Sequence, residues 1–172
     1  LFLRGDIELM KKSLSPANSD IGSRRTRPLH GDDWHPNLYT QHITAKGLQV
    51  ISKSECIIAN LMDSQGLEYE YNYELKSRDG KSKRWVDFMV RVGDKQVYWE
   101  HAGMLSQKAY LRKHKFKLDW YEKQGLLKQL LVSDEVNGFD SERMKKVIIL
   151  LKNGDLEAAR KIFDPTLGKK SE

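Results

Sequence analysis

The sequence predicts a mixed α/β (α+β) domain, a mixed β-sheet flanked by helices in the approximate order αβββαβα. Three observations carry that expectation. Tyr69, Tyr71 and Tyr73 alternate with Glu68, Glu70 and Glu74, the period of a half-buried strand. Trp85–Val92 and Gln96–His101 are two apolar, aromatic-rich runs joined by Gly93-Asp94-Lys95, a hairpin signal. Around these runs, Ser52–Gln65 and Glu142–Leu151 space their apolar residues as helices do.

Taken in order, Ile7–Ser15 reads as a short helix, with Ile7, Met10 and Leu14 on one face and Pro16 ending it. Arg24, Arg25 and Arg27 fall in a loop, read either as a solvated basic linker or as an arm on backbone phosphates. The first firm helix spans Ser52–Gln65. Ser52 or Ser54 caps it, Ile57, Ile58, Leu61 and Met62 form its apolar face, and Gly66 stops it. Leu67–Leu75 is the first strand. Lys76–Lys83 is a polar loop with Asp79-Gly80 as its turn, and Lys81 and Lys83 make it a candidate nucleic-acid contact.

The hairpin follows, and Gly103 breaks its extended run. Met104–Gln124 is helical and strongly basic, with Lys108 and Lys113 as further candidate phosphate contacts. Gly125 ends that helix. Leu127–Ser133 reads as a strand after a helix, which makes a parallel crossover natural. Glu142–Leu151 and a short helix from Asp155 through Ile162 complete the fold. The expected organisation is an N-terminal arm over 1–50, a core over 51–163 and a polar tail over 164–172.

Charge narrows the function. The chain has 172 residues, 31% of them charged, and a formal net charge of +6. That balance favours a polyanionic partner, DNA first and RNA second. Cys56 is the sole cysteine, so intrachain disulfides and cysteine-rich zinc sites are excluded. No apolar stretch reaches membrane-spanning length. No signal peptide is visible, and the expected setting is cytoplasmic. The chain starts at Leu1, so an upstream domain or a protein partner in a DNA-processing system is compatible with it.

Two acids carry the chemistry. Asp87 lies early in one strand of the hairpin and Glu100 at the far end of the next, positions that antiparallel pairing brings together. Asp87 interrupts an apolar run, so it must be solvated, paired or metal-bound. Two carboxylates are a hard-cation site for Mg2+ or Mn2+, and the backbone carbonyl of His101 is a candidate third ligand. Glu55, in the first turn of its helix, joins directly or through water, or else serves only as a dipole-complementing residue. Such a metal activates water and neutralises phosphate charge.

The motifs also resemble a known family. Ser52–Leu61 is similar to the opening helix of the PD-(D/E)XK nuclease superfamily. Tyr98-Trp99-Glu100-His101-Ala102-Gly103 resembles a subgroup whose second acidic motif reads Glu-His-x-Gly. The similarity runs through Val86-Asp87-Phe88 to Lys117, Tyr121, Gly125 and Leu131-Val132-Ser133. The resemblance implies a restriction-endonuclease-like core and metal-dependent cleavage of DNA or RNA. It assigns Glu55 to the helical acid, Asp87 to the acid of the Pro-Asp motif and Glu100 to that of the Glu-x-Lys motif. Val86 replaces the usual proline, and Ala102 stands where the lysine belongs. Lys117 is the expected replacement, with Lys108 and Lys113 as geometrical alternatives. The His101 side chain is expected on the opposite face from Glu100, in a structural hydrogen bond.

The function expected is therefore a metal-dependent DNA endonuclease, acting as a monomer or a homodimer. The alternatives are a nucleic-acid-binding module that has lost catalysis, supported by Ala102, and a structural or protein-interaction domain.

Overall fold

The computed structural model describes residues 42–103 and 108–163, with the side chains of 108–111 excepted. The expected helix at Ile7–Ser15, Arg24, Arg25, Arg27 and the tail from 164 lie outside the described residues, as does the side chain of Lys108.

Two short strands come first, β1 (His42–Ile43) and β2 (Gln49–Val50), an antiparallel pair absent from the sequence-based order. Thr44 closes their turn: its N–H donates to the Leu48 carbonyl and its hydroxyl accepts from the Leu48 N–H. Strands of two residues have no periodicity to read, so only the turn pairing reveals them. Helix α1 (Lys53–Ser64) follows. Ser52 is its cap, accepting from the Glu55 N–H at 3.1 Å.

The main sheet has the order β3-β4-β5-β6, built from β3 (Tyr69–Lys76), β4 (Lys83–Val92), β5 (Lys95–Ala102) and β6 (Leu130–Asp134). The first three strands are antiparallel, and β6 joins β5 in parallel after the crossover helix α2 (Lys108–Gln124). The strand expected from Leu127 begins at Leu130, because Leu127–Gln129 forms a 3-10 turn. Arg160 holds that turn, donating to the Leu127 and Leu130 carbonyls. Helices α3 (Ser141–Lys152) and α4 (Leu156–Lys161) end the described chain. The fold is mixed α+β, a mixed sheet with helices on both faces.

One core joins α1, α3 and α4 to the sheet through Ile58, Met62, Phe88, Trp99, Val147 and Ile148. The other joins α2 to the opposite face through Met89, Tyr98, Trp120, Tyr121 and Leu130. With both faces covered, β4 and β5 read as continuous apolar runs. A carboxylate in their interior is therefore withdrawn from bulk water.

The tyrosine alternation of β3 does not stay on one face. Tyr69 and Tyr71 pack on the α1 side, whereas Tyr73 and Leu75 pack on the α2 side. The change occurs at Asn72, whose φ of 50° is left-handed. In β4, Val86 belongs to the α2-side core and Phe88 to the α1-side core, so that strand changes face at Asp87.

Candidate active site

Asp87 sits at a gap in two ladders. Pairing of β3 with β4 includes Tyr71↔Phe88 and Tyr73↔Val86 but skips Asn72 and Asp87. Pairing of β4 with β5 runs from Val92↔Lys95 to Phe88↔Trp99 and ends one step before Asp87 and Glu100. The strands part there, and the carboxylate enters the opening. Asp87 Oδ2 accepts the His101 N–H at 2.7 Å. Asp87 and Glu100 are both buried.

Glu100 faces α2. Lys117 Nζ donates to Glu100 Oε2 and the Tyr121 hydroxyl donates to Oε1. These residues are four apart on one helix, the spacing that stacks side chains on one face. Burial pushes the Glu100 carboxyl up to about 7, against the pull of Lys117 and helped by the charge of Asp87. Burial and the neighbouring Glu100 carboxylate also raise the Tyr121 phenol, which keeps it a donor. The result is two buried acids, Glu100 paired with the Lys117 ammonium and Asp87 holding the His101 N–H.

Glu55 is engaged elsewhere. Its Oε2 accepts from the Tyr71 hydroxyl at 2.5 Å and from the Ile51 N–H at 3.3 Å, while the Ile51 N–H also donates to the Tyr71 oxygen. Burial and the charge of Glu55 raise the Tyr71 phenol, and Asp87 adds to the effect. Tyr71 thus lies within electrostatic reach of both acids. Among the described residues, no three His, Cys, Asp or Glu side chains converge closely enough to hold an ion. Glu55 is therefore brought near Asp87 through Tyr71 and not into a common cluster with Asp87 and Glu100.

The His101 side chain lies on the other face. Its Nδ1 is 2.8 Å from Ser133 Oγ, which also accepts from Trp99, and its Nε2 is 2.7 Å from Glu135 Oε1. The ring locks β5 to β6 and to the loop beyond. Of the other expected contacts, Lys81 is exposed on the hairpin tip and Lys83 pairs with Glu74 at 3.3 Å. Lys113 is half-buried on α2.

Sequence reasoning missed three residues. Tyr71 belongs in the sequence to an alternating strand and to the stretch that carries the family resemblance, with no role of its own. His114 lies one turn before Lys117, half-buried. Burial and Lys117 hold its imidazole below the ordinary value, while Asp87 pulls the other way. Its signal in the sequence is helical spacing from Lys117, the residue that the family resemblance points to. Asn72, opposite Asp87 in register, gave no signal, because its backbone conformation is visible only in the folded chain.

No family model matches the chain, and no solved structure matches it. The chain is similar to Uncharacterized protein MJ1519 of Methanocaldococcus jannaschii, at 32% identity over 152 residues. The match takes in 86% of this chain and 12% of that protein, so the chain spans a small part of the relative's length.

Proposed function

We propose that the chain is a divalent-metal-dependent nuclease of the PD-(D/E)XK type, most simply a DNA endonuclease. The observation that carries this reading is the buried Asp87 and Glu100 pair at the parting of β4 and β5, with Lys117 on Glu100. The donor set fits Mg2+ or Mn2+. Both acids offer hard oxygen, and both are buried, where a divalent cation would offset their charge. Asp87 and Glu100 would hold the ion, with the His101 carbonyl as a further oxygen donor. A cation bound by few carboxylates keeps water and substrate oxygens in its remaining positions. Bound there, it would supply neutralisation of the phosphate and an acidified water.

The chain's own residues do the rest. Tyr121 fixes one Glu100 oxygen and so sets the carboxylate plane. Lys117 occupies the role left open by Ala102, orienting water or offsetting charge on the phosphate. Glu55 holds Tyr71 at the edge of the site. No helix among the described residues is long and apolar enough to cross a membrane. Lys81 and Lys113, with the Arg24–Arg27 stretch, are proposed to hold the phosphate backbone.

The reading is tested with plasmid, single-stranded DNA and RNA, each with EDTA, Mg2+ or Mn2+. Metal-dependent cleavage that Glu100→Ala abolishes is the expected result. Failure to cut any substrate, with Glu100→Ala indistinguishable from the parent, refutes it. Ala102 favours a second reading, a binding module without turnover, which predicts metal-independent binding in the same series.

A further inference from the structure

Asn72 carries two costs in the middle of a strand. Its φ of 50° is a conformation that asparagine tolerates better than most residues but that still strains a strand. The residue is only 8% exposed, and its Nδ2 is buried without a hydrogen-bond partner, alone in that respect among the buried side-chain nitrogens and oxygens of the described residues. A buried amide donor left unmade is destabilising, and native folds rarely keep one without a use. Register puts both features opposite Asp87, at the residue where the β3–β4 ladder is interrupted. The left-handed turn also marks where β3 changes face, and β4 changes face at Asp87. A tyrosine or valine at this position would suit a strand better on every local ground.

We propose that Asn72 is a substrate-binding residue of the site, its carboxamide N–H reserved for an anionic oxygen that enters beside Asp87. In the nuclease reading, on which the identity of that oxygen rests, it is a non-bridging phosphate oxygen of the nucleic-acid backbone. Asp87 is acceptor-only when ionised and repels such an oxygen, so a neutral donor at its side is what the phosphate requires. The left-handed backbone is then the means of bringing the donor to the gap. The unmade bond belongs to the free protein and is made when substrate arrives.

The test separates backbone from side chain. Asn72→Gly keeps the left-handed conformation and deletes the carboxamide, whereas Asn72→Asp tolerates the conformation and replaces the donor with an acceptor. The expected result for Asn72→Gly is a urea midpoint at or above that of the parent, with kcat/KM lowered by about tenfold to a hundredfold, the worth of a hydrogen bond to a charged group. Asn72→Asp should lose at least as much. Binding of Mn2+ alone, followed by titration calorimetry, should change less than about threefold, because the donor is not a ligand. In EDTA, a fluorescent single-stranded oligonucleotide should bind Asn72→Gly more weakly than the parent.

Equal cleavage and equal oligonucleotide binding by parent and Asn72→Gly overturn the inference. So does a large fall in the urea midpoint of Asn72→Gly, which would make the side chain a structural support. If the parent cuts nothing, the nuclease reading falls by itself. The EDTA binding difference then decides the inference: weaker binding by Asn72→Gly upholds the anion donor, and equal binding overturns it.

Discussion

Glutamine in place of Glu100 isolates the group on which the site's electrostatics turn. In the folded chain this carboxyl is raised from an ordinary 4.5 to about 7, chiefly by burial. The unfolded chain releases the proton at the lower value. Between those two pH values the folded state holds more protons, so folding stability falls as pH rises, and the loss is complete above about 7. Carried through, the gap corresponds to a cost on the order of 3 kcal/mol at pH 8, with the attraction of Lys117 already included. Glu100→Gln keeps the shape and an acceptor for Tyr121 but cannot ionise. Urea unfolding of parent and variant in EDTA, at intervals from pH 4.5 to 8, measures it. Taking the difference at each pH cancels the titrating groups distant from residue 100 that the two proteins share. The variant should gain on the parent steadily across this range, and Mg2+ should restore the parent alone. A difference that stays flat from pH 4.5 to 8 would refute the account of Glu100.

Three further outcomes follow from the same geometry. Lys117→Met should fold and lower cleavage about a hundredfold, the scale of a lost general acid–base or charge-stabilising group; full activity in steady-state assays would exclude Lys117 from the site. Cleavage at limiting Mg2+ should rise with pH through about 7 as Glu100 ionises, and the rise should move to lower pH as Mg2+ is increased, since the ion competes with the proton; a profile indifferent to Mg2+ concentration would count against Glu100 as a ligand. Ser52→Ala should cost about 1 kcal/mol in thermal or urea unfolding through loss of the α1 cap, and an unchanged midpoint would show that the Glu55 amide has found another acceptor.

Much of the fold was legible because its signals are local. Tyrosine–glutamate alternation marked β3, Gly93-Asp94 marked the β4–β5 turn, and Gly66 and Gly125 marked the ends of α1 and α2. Period-two and helical patterns survive where one face meets a core. They fail for β1 and β2, too short to show a period, and for Leu127–Gln129, which forms a turn held by Arg160 from thirty-odd positions away.

By itself, the sequence determined the acids, their strands and the helix spacing that sets Lys117 and Tyr121 on one face, because covalent order and helical pitch suffice for those. Tertiary structure alone decided which groups meet. It gave both Glu100 oxygens to α2, tied Glu55 to Tyr71, turned His101 toward Ser133 and Glu135, and opened both ladders at Asp87. The physical reason is that burial and strand register are properties of packed elements. A carboxylate's charge, its partner and the backbone opposite it exist only once three strands and a helix close around it.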